Sequence, residues 1–118
     1  KLGAEYTILS GDDSLTRPFM SVGAQGVIGV ASNVAPAQVK QMVDLANSND
    51  FQAASALHKR LYPLFTTLFI ESNPVPVKAV LKNQGTIAED IVRLPLAALS
   101  EDSRATLAAV TRNLGLTP

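Results

Sequence analysis

The segment Gly26-Val27-Ile28-Gly29-Val30-Ala31 constrains the fold of this chain more than any other. Its apolar residues are consecutive rather than alternating, so Val27–Ala31 reads as a strand buried on both faces, the pattern of a parallel sheet covered by helices. Upstream, Tyr6-Thr7-Ile8-Leu9 is a second short strand-like run, and it stops at the turn Ser10-Gly11-Asp12-Asp13. Between the two, Asp13 or Ser14 is placed to cap a helix with Leu15, Pro18, Phe19 and Val22 on its apolar stripe. After Ser32-Asn33, the stretch from Pro36 to Asn47 carries Val39, Met42, Val43 and Ala46 on one face and begins with proline near its first helical position. Strand, helix, strand, helix makes a βαβα unit with a right-handed crossover.

Two parallel strands are too few to stand alone. Both of their long edges lack partners, and strands this apolar imply neighbours that these residues do not contain. The expectation is therefore a C-terminal fragment of a larger α/β protein.

Beyond Asn49 the pattern is helical. Phe51, Ala54, Leu57, Leu61, Leu64, Phe65 and Leu68 form a long stripe, with Pro63 expected to kink or locally break it. Asn73-Pro74-Val75-Pro76 reads as an extended corner, followed by a short helix through Val77, Val80 and Leu81 that Gly85 ends. Ser100 caps a last helix with Glu101 and Asp102 in its first turn, Leu107, Val110 and Leu114 on its stripe, and Gly115 just past its end.

Composition narrows the function classes. Of the 118 residues, 47% are hydrophobic and 17% charged, which argues for a chain that buries much of its surface. Lys plus Arg equals Asp plus Glu at 10 each, and without a basic run the chain lacks the footprint of a nucleic-acid binder. The absence of cysteine removes disulfides, thiolate metal sites and cysteine nucleophiles. No apolar run approaches the roughly 20 residues of a membrane span, and Lys1-Leu2-Gly3-Ala4-Glu5 is unlike a signal peptide. A soluble, cytoplasmic α/β chain with no membrane partner is expected.

Four motifs stand in register: Leu9-Ser10-Gly11-Asp12-Asp13, Gly26-Val27-Ile28-Gly29-Val30-Ala31-Ser32-Asn33-Val34, Asn73-Pro74-Val75-Pro76-Val77-Lys78 and Arg93-Leu94-Pro95-Leu96. Their order and spacing resemble the C-terminal part of the dihydrodipicolinate synthase family, within the pyruvate-dependent class I aldolase superfamily. The resemblance implies the last two βα units of a (β/α)8 TIM barrel in residues 1–49 and an α-helical C-terminal extension in residues 50–118. It also implies a lyase of lysine and diaminopimelate biosynthesis that joins pyruvate to aspartate semialdehyde through a Schiff base, without metal or cofactor, in a homo-oligomer built as a dimer of dimers. The lysine that forms the imine belongs to a Gly-Ile-Lys-Glu-like motif on the sixth strand. That motif is absent from this sequence, and its place is expected upstream of Lys1, so the chain alone is expected to be inactive. N-acetylneuraminate lyase, 4-hydroxy-2-oxoglutarate aldolase and 2-keto-3-deoxy-sugar acid aldolases share barrel and imine chemistry. A non-catalytic assembly module is the alternative from another class.

Two substrate-binding positions carry over by resemblance. Gly11 ends the seventh strand at the face where active sites of this fold lie, and a glycine leaves room for substrate against the backbone. Ile28 lies in the eighth strand, where the family points a backbone carbonyl at the catalytic pocket. Gly29 stands where many relatives have serine.

Other residues invite sharper readings, each with a plainer competitor. Asp12-Asp13 has the composition of a metal or acid/base pair, but adjacent carboxylates at a strand-to-helix turn commonly act as caps. Gly-Asp-Asp also occurs in viral RNA polymerases, in a hairpin that a following helix argues against. Lys78 is the obvious substitute nucleophile, yet it follows a proline corner and reads as solvated or ion-paired. His58, the only histidine, makes neither a metal site nor a triad by itself. Phe65, Leu68, Phe69 and Ile70 read as core against the barrel wall, with a binding surface as the alternative.

Overall fold

A computed structural model describes residues 5–118; Lys1 to Ala4, which carry most of the segment judged unlike a signal peptide and the start of the 1–49 unit, lie outside the described residues. In chain order the elements are β1 (Leu9–Ser10), α1 (Thr16–Met20), β2 (Gly26–Val27), a 3-10 turn (Ala31–Asn33), α2 (Pro36–Asn47), α3 (Phe51–Thr67), α4 (Val75–Asn83) and α5 (Glu101–Asn113).

The two strands run parallel, with Leu9 opposite Gly26 and Ser10 opposite Val27. Gln25 N–H donates to the Ile8 carbonyl at 2.8 Å, and Ile28 N–H to the Ser10 carbonyl at 2.9 Å, so the ladder extends slightly past the assigned strands. Both strands are shorter than the sequence pattern implies. Ladder pairing, not apolar composition, defines a strand, and Tyr6 and Ile8, ahead of the assigned strand, are exposed. At the other end, Val30 and Ala31 turn their N–H groups away from the sheet and the chain coils into the 3-10 turn.

Helix α1 corrects the expected stripe. Thr16 and Met20 are buried, whereas Leu15, Phe19 and Val22 point outward, Val22 being 83% exposed. Neither Asp13 nor Ser14 provides a side-chain cap; Asp12 serves that turn, its Oδ1 accepting from Ser14 Oγ at 2.6 Å and from Leu15 N–H at 3.1 Å. Met20 packs with Ala24, Ala46 and Ala54 in a small cluster that seats α1 on α2 and α3.

The main core lies between α2, α3, α4 and α5. Helix α2 covers the expected Pro36–Asn47 and buries Val39, Met42 and Ala46. Helix α3 lays the expected stripe against it, with Ala54, Leu61, Leu64 and Phe65 buried and Leu68 just beyond its last turn. Each fully buried leucine contributes about 1.5 to 3 kcal/mol of transfer free energy. Pro63 does not break this helix. It lies on the exposed side of the helix, as does Lys59, whose carbonyl loses its N–H donor to the proline, and Thr66 and Thr67 hydroxyls donate to the Pro63 carbonyl at 3.1 and 2.6 Å.

The proline corner turns into α4 earlier than expected. Val75 already begins the helix, and Pro76 falls in the first turn, where its missing N–H breaks no helical hydrogen bond. Gly85 follows at φ 73°, and Gly115 follows α5 at φ 68°, the left-handed region that favours glycine after a helix. At the start of α5, Ser100 Oγ accepts from Ser103 N–H at 3.3 Å and donates to Glu71 Oε1 at 2.6 Å.

Candidate functional site

Because β1 and β2 are parallel, their C-terminal ends emerge on one edge, which gathers Ser10-Gly11-Asp12-Asp13 and Ile28-Gly29-Val30-Ala31. Ser10 is buried and fixes the first turn: its Oγ donates to the Asp12 carbonyl at 2.7 Å and accepts from Asp12 N–H at 3.2 Å. Thr16 Oγ1 donates to the same carbonyl at 3.0 Å, so the start of α1 is tied to the end of β1.

Gly11 is exposed at this edge. A Cβ added there meets no atom within 4 Å, and its φ is outside the left-handed region, so no steric or conformational demand within the described residues requires glycine. Ile28 sits one residue past β2 rather than inside a long strand, with its side chain 74% exposed. Its N–H reaches Ser10, the neighbour of Gly11, and among the described residues no group donates to its carbonyl. The structure therefore brings both candidate positions to one edge, with an open surface at Gly11 and a free acceptor at Ile28.

The residue that sequence reasoning underrated is Asp13. It is 2% exposed, and its Oδ2 accepts from Val30 N–H at 2.9 Å and Ala31 N–H at 3.0 Å. The carboxylate braces the loop after β2 instead of capping α1. Gly29 makes this possible, since a Cβ there would lie 2.0 Å from Asp13 Oδ1. A glycine inside an apparent strand is the sequence signal for such a close backbone approach.

Asp12 and Asp13 thus point to different partners. The Ser14 hydroxyl, with help from backbone N–H groups, holds the Asp12 carboxyl below the usual carboxylate range. Among the described residues, no group of three or more His, Cys, Asp and Glu side chains converges as metal ligands.

The remaining candidates lie elsewhere. Lys78, on α4, donates to the Ile91 carbonyl, so it anchors the segment after α4 rather than forming an ion pair. His58, on α3, packs against Tyr62 and Phe65 with ring centroids 5.9 and 5.6 Å apart. Burial, reinforced by the Arg17 charge, holds its pKa below the ordinary histidine value. Phe65 and Leu68 are core as expected, but Phe69 and Ile70 are 51% and 41% exposed because the chain leaves α3 at Leu68. A groove of about 700 Å³ runs between Val34, Gln84 and Leu116 and includes neither Gly11 nor Ile28. No described helix is long and apolar enough to cross a membrane.

Residues 1–114 match the model of the dihydrodipicolinate synthetase family. The chain belongs to that family. It is 48% identical over 111 residues to the 4-hydroxy-tetrahydrodipicolinate synthase of Syntrophus aciditrophicus strain SB, covering 94% of this chain and 38% of that enzyme. The crystal structure of dihydrodipicolinate synthase from Aquifex aeolicus superposes with a TM-score of 0.94 at 44% identity, covering 98% of this chain and 39% of the other. A further family structure, from Acinetobacter baumannii in complex with pyruvate, superposes with a TM-score of 0.88 at 36% identity over 93% of this chain and 38% of that one. Less than two fifths of each of these synthases is therefore spanned by the present residues.

Proposed function

We propose that this chain is the C-terminal segment of a 4-hydroxy-tetrahydrodipicolinate synthase, with residues 1–49 forming the last two βα units of its (β/α)8 barrel and residues 50–118 its helical extension. The whole enzyme condenses pyruvate with aspartate semialdehyde in lysine and diaminopimelate biosynthesis. The observation that carries the reading is the agreement between the family match along nearly the whole chain and a parallel strand pair whose C-terminal edge is open. Active sites of such barrels lie at that edge.

In this reading a lysine outside residues 1–118 attacks the pyruvate carbonyl and loses water to give a protonated imine. The imine withdraws electrons, the methyl group loses a proton, and the resulting enamine carbon bonds to the aldehyde carbon of the semialdehyde. The amine of the added substrate then attacks the imine carbon and displaces the lysine. Gly11 supplies clearance for the aldehyde, and the Ile28 carbonyl supplies an acceptor at the pocket wall. The enzyme is a homo-oligomer, a dimer of dimers.

The test is turnover by the full-length subunit. Consumption of pyruvate with aspartate semialdehyde is expected. Turnover of N-acetylneuraminate or 4-hydroxy-2-oxoglutarate, with none of aspartate semialdehyde, would replace this reading with one of the other aldolases. A native gene product of only 12.4 kDa that forms no imine would favour the assembly module.

A further inference from the structure

We infer that Asp13 is a positioning residue for the Ile28 carbonyl; this rests on the substrate role proposed above for Ile28. The peptide between Ile28 and Gly29 is held from both sides. Upstream, Ile28 N–H is bonded to the Ser10 carbonyl at 2.9 Å. Downstream, the two successive N–H groups of Val30 and Ala31 are bonded to one oxygen of Asp13, at 2.9 and 3.0 Å. Between these anchors Gly29 has no side chain to restrict its dihedrals, so the direction of the Ile28 carbonyl is set by the anchors themselves.

The geometry is costly to maintain for stability alone. Asp13 is 98% removed from solvent, by its 2% relative exposure, and its second oxygen, Oδ1, is buried without a hydrogen-bond partner among the described residues. A buried carboxylate with an unsatisfied oxygen is less favourable than a neutral acceptor in the same place, unless the strength of its bonds to the backbone serves a purpose. Charge-assisted bonds to two adjacent amides hold a loop more rigidly than a neutral acceptor does. Oδ1 occupies the space where a Gly29 side chain would begin, 2.0 Å from the ideal Cβ position.

The experiment measures KM for pyruvate, kcat, borohydride-trapped pyruvate adduct and thermal unfolding in the full-length subunit. KM does not depend on how much of the protein is folded, so it separates positioning from simple destabilisation. Asp13→Ala is expected to raise KM for pyruvate about tenfold, the effect of losing a bond to a charged group. Asp13→Asn, which keeps an acceptor for the two N–H groups but loses the charge, is expected to recover only part of that loss. If wild type traps pyruvate but Asp13→Ala loses only folded protein with KM unchanged, the positioning role is overturned and the functional reading survives. If wild type traps no pyruvate, both fall together.

Discussion

Gln84 donates from Nε2 to the Val34 carbonyl, 50 positions earlier, at 2.9 Å, and from the same nitrogen to the Leu116 carbonyl at 3.0 Å. One amide thus ties the loop that follows the candidate edge to the segment that follows α5. Residues 50–118 are not an appendage with a separate core: Val34, Val39 and Met42 share a single apolar cluster with Leu61, Val80 and Leu107. Gln84→Ala removes donors to two carbonyls that lie at a half-buried junction. A loss of about 1 to 3 kcal/mol in denaturant unfolding is expected, and a change under about 0.5 kcal/mol would show that water replaces the amide without cost.

Gly11→Val separates clearance from conformation. The φ of Gly11 is not left-handed and the space around its Cβ position is empty, so the substitution is expected to change unfolding by less than about 1 kcal/mol. In the full-length enzyme it is expected to raise KM for aspartate semialdehyde while leaving pyruvate trapping intact. A fall in Tm matched by loss of pyruvate adduct would make Gly11 a turn residue only.

The parts of the fold that rest on local signals were legible from the residues. Helix α2 begins at Pro36 and ends at Asn47 as its stripe implies, and Ser100, Glu101 and Gly115 mark both ends of α5 as caps do. What depends on partners elsewhere was not. The face of α1 is decided by which side meets α2, and Met20 and Thr16 occupy it instead of Leu15 and Phe19. Strand lengths depend on neighbours, which these residues supply on one side only. The candidate edge was half legible: Gly11 and Ile28 are candidates by family resemblance, whereas the Asp13 brace spans 17 positions and left only Gly29 as its sequence mark.

His58 makes stability depend on pH. Burial and then the Arg17 charge disfavour its protonated form in the folded state, so the unfolded chain binds the proton more readily. The associated stability is present above the unfolded pKa, about 6.5, and is lost as pH falls through that value toward the lower folded one. Relative to wild type, His58→Leu is expected to flatten unfolding free energy between about pH 7 and pH 5. An NMR titration placing His58 at or above the ordinary value would contradict the burial argument.

The most direct test of the whole account is the location of the imine. The full-length subunit is incubated with pyruvate, reduced with borohydride, digested and mapped by mass spectrometry. A single adduct is predicted, on a lysine outside residues 1–118 in a Gly-Ile-Lys-Glu-like peptide, with Lys40, Lys59, Lys78 and Lys82 unmodified. A stoichiometric adduct on Lys78, or on any lysine of the present chain, would contradict it.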